Sequence, residues 1–408
     1  MHYCRHCASA LELPFIDLGH QPPSNAYLTH EQLDEAQCTY PLKVYTCTHC
    51  WLVQSPAHAA PNELFTEDYA YFSSMSQSCL THARDYVTAM QARFGLDSGD
   101  LICEIASNDG YLLQYALADG MRILGVEPTA AAAQVARGKG IRTETRFFGT
   151  TPAAQLLDIY GPAALMPANN VLAHVPDIND FAAGFAVMLA PEGVATFEFP
   201  HLMSLLGGLQ FDTIYHEHYS YLSLIAVTRI LTQAGLRIFD VEELATHGGS
   251  LRVFACRERA AHETQPTVAD FLRREEAAGL KSEVAYGTLQ RAAETIKNDL
   301  LTFLIRESKA GRRVAGYGAA AKGNTLLNFS GVRRDLLSFV CDRAPLKQGR
   351  YLPGSHIPIC SPEQLAKDHP DTVLILPWNI AAEVVQQQAC VREWGGRFAV
   401  AVPEFRFL

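Results

Sequence analysis

The sequence predicts an α/β protein with a small cysteine-bearing unit at its N-terminus. Three observations carry this. Two CxxC pairs, Cys4-Arg-His-Cys7 and Cys47-Thr-His-Cys50, lie within the first 50 residues. The stretch Asp100–Pro128, DLICEIASNDGYLLQYALADGMRILGVEP, reads as strand, polar turn, helix and second strand. A second strand, glycine turn and helix follows at Val314–Asn328, VAGYGAAAKGNTLLN.

Length and composition bound the reading. The 408 residues are 48% hydrophobic and 19% charged, as in soluble globular chains of two or three domains. A net charge of −10 excludes a general nucleic-acid or anionic-membrane surface, while leaving room for a local basic pocket. No apolar run approaches the roughly 20 residues that span a bilayer. The N-terminal MHYCRHC lacks a signal-peptide pattern. An odd total of 11 cysteines without an export signal predicts a reducing cytoplasm.

The two CxxC pairs are separated by 39 residues. Each forms a knuckle that turns two thiolates toward one ion, so Cys4, Cys7, Cys47 and Cys50 predict a tetrahedral zinc site. Four thiolates leave no open coordination position, which makes the metal structural. His6 and His49 sit inside the knuckles, and His6 is the alternative ligand. Gln21-Pro-Pro-Ser-Asn25 reads as a loop. The expected organisation is a zinc-binding domain at 1–61, an α/β domain at 62–263, a helical connector at 264–311 and a second α/β domain at 312–408. Between the first two, FTEDYAYF (residues 65–72) is aromatic. Packing is the ordinary use of such a run, but Tyr69 and Tyr71 alternate in a way that also suits a cleft lining. An amphipathic helix is expected from Cys79 to Phe94.

Leu101–Ile105 is an apolar run expected to be a strand buried on both faces. Ser107, Asn108, Asp109 and Gly110 form the turn, and glycine there lets the backbone approach a ligand. The next strand, Ile123–Val126, ends in Glu127 and Pro128, with Glu127 lying 23 residues after Glu104. An acid at that point is placed to accept from a ribose diol. The glycines do not spell GxGxxG, which disfavours a nicotinamide nucleotide. One acid before a single-glycine turn and another after the second strand look like an S-adenosylmethionine site; an ordinary βαβ unit is the plainer alternative. In ALMPANNVLAHVPDINDF, Asn169 and Asn170 fall at a strand's carboxyl edge, where open α/β sheets bind ligands, and His174 follows in the loop. Pro167 interrupts that strand's pattern.

FDTIYHEHYSY, Phe211–Tyr221, is the densest cluster of titratable groups. HEH is not HExxH, so it does not present two histidines on one helix face to a metal. On a helix Tyr215 and His218 share a face; on a strand Tyr215 aligns with Glu217. A histidine beside a carboxylate suits general acid–base work. His247-Gly248-Gly-Ser250 is either a backbone that approaches a ligand or a plain hairpin. Gln265–Asp299 reads as a helical connector. In the last domain, Lys322 and Asn324 lie at the helix start after the glycine turn, where a diphosphate is favoured, although the turn is not a P-loop.

In their order along one chain, CxxC…CxxC, EIASNDGYLL with GVEP, NNVLAHVPDINDF, YHEHYSY, HGGSLRVFA, GYGAAAKGNTLLNF and CDRAPLKQGRYLPGSHIPI resemble the sugar C-methyltransferases that act on nucleotide-linked keto-deoxysugars. The resemblance covers nearly the whole chain. It implies a zinc-binding N-terminal domain, a class I Rossmann-like S-adenosylmethionine methyltransferase domain and a C-terminal Rossmann-like α/β domain. It implies catalytic roles for Tyr69, His174, Tyr215, Glu217 and His218. The donor would be bound by Glu104, Asn108, Asp109, Gly110, Glu127, Pro128, Asn169 and Asn170. The substrate would be met by His247, Gly248, Ser250, Lys322 and Asn324. The implied reaction, within deoxysugar biosynthesis, is methylation at C-3 of a nucleotide-linked 4-keto-6-deoxysugar. His218 would form the enolate, Glu217 would orient His218 and raise its pKa, and Tyr215, Tyr69 or His174 would donate to the enolate oxygen. The zinc would lie far from the reacting atoms. A zinc-containing binding protein without catalysis, and an O- or N-methyltransferase, are the competing expectations.

Overall fold

The computed structural model describes residues 2–58 and 72–408, so Tyr69 lies outside the described residues. Three sheets organise them. The N-terminal sheet holds Leu13–Gln21, Tyr40–Thr46 and Val53–Gln54, all antiparallel. Its fourth strand, Ser220–Tyr221, comes from far down the chain: Val53 pairs with Tyr221 and Gln54 with Ser220. The residues that follow the YHEH segment are therefore part of the N-terminal sheet.

The central sheet runs in the spatial order Leu236–Leu244, Ser250–Arg257, Leu189–Pro200, Ala163–Asn169, Leu101–Ile105, Arg122–Val126, Thr143–Glu144. The last five are parallel and the first two are antiparallel additions. Chain order reverses between Leu101–Ile105 and Ala163–Asn169, which makes a switch point in a Rossmann-like sheet. All five residues of Leu101–Ile105 are buried, as its unbroken apolar run requires. Pro167 does not end its strand. Residues 165–169 pair continuously with Leu189–Pro200, and only Ile102 with Leu165 joins the strand to Leu101–Ile105, in keeping with a residue that has no N–H to give. On one face Phe185 packs on Phe197 with ring centroids 4.7 Å apart. On the other lies the helix Gln77–Phe94, capped by Ser76 and ended by left-handed Gly95, with the Tyr86 hydroxyl bonded to Thr196 at 2.6 Å.

Two helices, Pro266–Ala277 and Leu289–Lys309, form the connector. Glu275 on the first is fully buried. It accepts the N–H groups of Leu224 at 2.6 Å and Ile225 at 2.8 Å, capping the helix Leu224–Gln233, and it pairs with buried His201 at 2.7 Å. The C-terminal sheet runs Ile359–Cys360, Val340–Cys341, Val314–Tyr317, Thr372–Ile375, Arg397–Val400, Arg406–Phe407. Its first five strands are parallel and the last is antiparallel. Its strand Val340–Cys341 is only two residues long. Three bonds gather the units around residues 211–218 and the glycine turn. Thr325 donates to Ile214 O at 2.8 Å, Trp378 Nε1 to Asp212 Oδ2 at 2.8 Å, and the Tyr27 hydroxyl to Ala319 O at 2.6 Å. Among the described residues, no helix is long and apolar enough to cross a membrane.

Candidate active site

The carboxyl edge of the central sheet carries a set of buried acids. Glu104, at the end of its strand, is 1% exposed, and neither carboxylate oxygen has a hydrogen-bond partner among the described residues. Burial, then the charges of Glu127 and Asp109, push its pKa well above the usual carboxylate range. A buried carboxyl without a partner is costly unless a ligand supplies one. Glu127 is held differently. Its Oε2 accepts from Asn108 N at 2.9 Å, and its Oε1 accepts from Thr129 N at 2.8 Å and from the Thr129 hydroxyl. Pro128 sits between Glu127 and Thr129 and enters the helix Ala130–Gly138.

Ala106 (φ 58°), Asn108 (φ 49°) and Asn170 (φ 54°) are left-handed in the loops of this edge. Such strain persists where the surroundings over-determine it, as around ligand sites. Two expected donor residues have additional partners. Asn108 Oδ1 accepts from Ser73 N at 2.9 Å, and Asp109 Oδ2 accepts from the Ser74 hydroxyl, so the turn Ser73–Met75 lies against the loop. Packing requires a glycine at position 110. At φ 75°, a Cβ there would come 2.3 Å from Ile141 Cδ1 and 3.3 Å from Ala136 Cβ. Gly110→Ala is expected to cost about 2–4 kcal/mol from left-handed strain plus overpacking. Urea unfolding would measure it, and an unchanged midpoint would reject this account.

The YHEH segment is neither helix nor strand. A turn closed by His218 N to Tyr215 O at 2.9 Å brings the Tyr215 and His218 rings to 3.9 Å, the i, i+3 pairing that a helix would also have made. His174, in the loop after Asn169 and Asn170, stands 4.7 Å from His218, ring to ring. His218 Nδ1 meets Thr213 O at 2.9 Å, and His174 Nδ1 meets Glu217 O at 2.8 Å. A carbonyl only accepts, so each ring carries its proton on Nδ1 and its lone pair on Nε2. Burial, then the neighbouring His174, holds His218 well below the usual histidine range, against the opposing pull of Thr213 O. Burial brings His174 down to about 4.

Two expectations are corrected here. Glu217 does not orient His218. Its Oε1 accepts from Asn25 N at 3.3 Å and Asn25 Nδ2 at 3.1 Å, in the loop of the N-terminal unit, and His218 is shifted down rather than up. His174 cannot serve as an enolate donor in this tautomer, because its N–H is taken by Glu217 O. Two of the expected substrate residues also have protein partners: the Ser250 hydroxyl donates to Thr246 O at 2.9 Å, and Asn324 Nδ2 donates to Ser24 O at 2.6 Å. Gly248 likewise makes room for protein, since a Cβ on it would lie 2.5 Å from Trp378.

Lys322 and His247 remain at the seam between the central and C-terminal domains. Lys322 Nζ donates to Asn379 Oδ1 at 2.8 Å and lies 4.7 Å over the Trp378 ring. Burial lowers its pKa while Asp212 raises it, and Lys322 in turn disfavours the charged forms of His218 and His247. Asp212 is fully buried, and desolvation lifts it to about 6.

Comparisons with known proteins match three successive stretches of the chain. Residues 80–241 match a methyltransferase domain family, residues 245–403 a C-methyltransferase C-terminal domain family, and residues 4–65 a zinc binding domain family. Over 405 residues the chain is 36% identical to C-methyltransferase NovU of Streptomyces niveus, spanning 99% of this chain and 96% of that protein. The chain belongs to this C-methyltransferase family. Among solved structures, magnesium protoporphyrin IX methyltransferase (ChlM) from Synechocystis PCC 6803 with bound SAM is 18% identical over 44% of this chain and 81% of its own, with TM-score 0.34. A S-adenosylmethionine-dependent methyltransferase from Clostridium acetobutylicum is 13% identical over 44% and 92%, with TM-score 0.36.

The protein is thus a S-adenosylmethionine-dependent C-methyltransferase. The Glu104 oxygens, without a partner among the described residues, fit the donor's ammonium group. The four cysteines of the methyltransferase fit zinc equally well. Their sulfurs lie within 4.8 Å of one another, with Cys4–Cys50 and Cys7–Cys47 at 3.5 Å. That is close to the sulfur–sulfur spacing of about 3.8 Å set by four Zn–S bonds of about 2.3 Å in a tetrahedron. Gln54 Nε2 donates to Cys4 Sγ at 3.1 Å and Cys50 N to Cys47 Sγ at 3.5 Å, as thiolates require. His6 lies outside this cluster of four sulfurs, and its Nδ1 is bonded to Asn179 Oδ1 at 2.8 Å.

Sequence reasoning missed a second histidine–carboxylate pair in the methyltransferase. Glu198, 2% exposed near the end of its strand, binds His82 Nε2 at 2.8 Å and Arg252 Nε at 2.7 Å. Both His82 and Glu198 bear on the ionisation of His247. An acid inside the apolar strand GVATFEFP was a readable signal for Glu198. His82, one polar residue on an amphipathic helix, carried none.

Proposed function

We propose that this methyltransferase transfers a methyl group to C-3 of a nucleotide-linked 4-keto-6-deoxysugar, by way of an enolate. One observation carries the reading: two neutral imidazoles stand 4.7 Å apart beside Tyr215, each with Nδ1–H bound to a backbone carbonyl. A neutral, buried imidazole with its Nε2 lone pair available is a base for a carbon acid next to a ketone.

His218 Nε2 takes the C-3 proton, and Thr213 O steadies the resulting imidazolium through Nδ1. Tyr215 donates to the enolate oxygen, and Tyr69 is the second donor. One such donor contributes about 2.7–4 kcal/mol to the barrier. His174 stands beside His218 as a second neutral imidazole, 4.7 Å away ring to ring. Glu217 acts through the backbone: its carboxylate fixes Asn25, and its carbonyl fixes His174. Lys322 and His247, with the start of the helix Ala321–Ser330, hold the diphosphate. Glu104, Glu127 and the loop 106–110 hold the methyl donor, with Asn169 and Asn170 beside them. That donor, when bound, supplies an electrophilic methyl group whose release from sulfur needs no acid.

The test is incubation of the enzyme with S-adenosylmethionine and a panel of 4-keto-6-deoxy nucleotide sugars. A product one methyl heavier is expected by mass spectrometry, and unchanged mass across the panel would overturn the substrate class. In D2O without the methyl donor, deuterium is expected to wash into C-3. Product formed without any such exchange in the absence or presence of donor analogue would reject the enolate route.

A further inference from the structure

Both residues enclosed by the first zinc knuckle are bonded to the active-site loop. Arg5 Nη1 donates to Pro176 O at 3.0 Å, two residues beyond His174, and Arg5 Nη2 donates to Ser55 O. Its guanidinium lies 5.2 Å over the Tyr219 ring. His6 Nδ1 meets Asn179 Oδ1 at 2.8 Å, and Asn179 Nδ2 returns a bond to His6 O at 2.8 Å. Behind the knuckle, Gln54 joins the metal site to the same network: its Nε2 donates to Cys4 Sγ, and its Oε1 accepts Arg5 N at 2.8 Å. Ser55 N then bonds Tyr219 O at 3.0 Å, and Tyr219 N bonds Ala173 O at 2.8 Å. The path from sulfur to His174 and to the strand after His218 is therefore continuous through hydrogen bonds.

A knuckle that served only the N-terminal fold would not need a guanidinium here. Arg5 is placed at a cost to stability, since its Nε is buried without a partner among the described residues. What the guanidinium adds is a rigid fork that reaches carbonyls on two separate segments. Its position depends on the knuckle backbone, and the metal sets that backbone.

We propose that the first knuckle is a positioning device for the active site. Zinc occupancy and the ordering of residues 171–179 and 217–221 form one coupled equilibrium, with Arg5 and His6 as positioning residues. The coupling is reciprocal: a change that loosens the loop weakens the hold on zinc, and loss of zinc loosens the loop. The inference uses the role proposed for His174 only for its effect on turnover. Zinc release and hydrogen exchange are read without substrate, so they can fail while the C-3 reading stands, or hold while it fails.

The test compares Arg5→Met, Arg5→Lys and Asn179→Ala in the full zinc-loaded chain. Arg5→Met is expected to carry zinc as purified but to release it to a chelator about 10–100-fold faster, the usual effect of losing a group behind a metal ligand. Hydrogen exchange is expected to rise in 171–179 and 217–221 and to stay unchanged in 101–127. S-adenosylmethionine affinity is expected to hold. Arg5→Lys should recover part of the effect. Asn179→Ala sits in the central domain with no bond to sulfur, yet should also speed zinc release, and it decides the matter if Arg5→Met does not fold. Unchanged release and exchange in Asn179→Ala would overturn the proposal, as would a rise in exchange spread evenly over 101–127.

Discussion

His218→Ala is expected to lower kcat by about 10²–10⁴-fold, the range for a lost general base, while S-adenosylmethionine affinity stays unchanged. The separation follows from the geometry. His218 is held by Thr213 O and stacked on Tyr215, whereas Glu104 and Glu127 follow two other strands and share no hydrogen bond with it among the described residues. Isothermal titration would measure donor affinity, and single-turnover methyl transfer would measure the chemical step. Turnover that survives in His218→Ala would move the base to His174.

The pH profile follows from the same burial. The base works only when neutral, and His218 is held well below 6.5, so the acid limb of kcat/KM is expected below that value. Stability carries the same sign. His174, His216 and His247 take a proton at about 4 in the folded chain, and from about 6.5 when unfolded. The unfolded state therefore binds more protons between those values. The stability these groups contribute is complete above pH 6.5 and is lost as pH falls toward 4. Asp212, lifted to about 6 from 3.8, works in the opposite direction and offsets part of the loss. Thermal melts across this range would show a falling Tm on acidification; a flat Tm would contradict the burial of these rings as neutral groups.

Cys47→Ser is the second large effect. A structural zinc contributes about 10–16 kcal/mol of folding free energy in small peptides, and removing one thiolate forfeits much of it. Here the N-terminal sheet includes Ser220–Tyr221, so its loss unpins the strand that follows His218. The expected outcome is loss of zinc, a lower Tm for the N-terminal sheet and loss of methyl transfer, with S-adenosylmethionine binding retained by the central domain. Metal analysis and calorimetry would measure it. A metal-free variant with unchanged Tm and turnover would show that the cluster does not support the active site.

Much of this was legible before any coordinates. The CxxC spacing named the four ligands, because knuckle geometry is local and its chemistry covalent. Leu101–Ile105 kept its bounds, because an apolar run between polar turns has one way to be buried. The pairing of Tyr215 with His218 was one of two readable options, and a turn selected it. What failed was direction. Glu217 looked like a partner for its sequence neighbour His218, but its carboxylate meets Asn25, 192 residues away. The amide nitrogen of Asn324, at the glycine turn, is likewise tied to Ser24, 300 residues away.

The sequence by itself determined the cysteine cluster, the strand–turn–helix units and the acids at their edges. Those depend on residue type and short spacing. The tertiary structure alone decided which carbonyl holds each histidine's proton, which acid is left without a partner, and that the zinc knuckle grips the loop of His174. The physical reason is that a buried polar group is defined by what satisfies it. Those partners arrive from segments that only folding brings within hydrogen-bond reach.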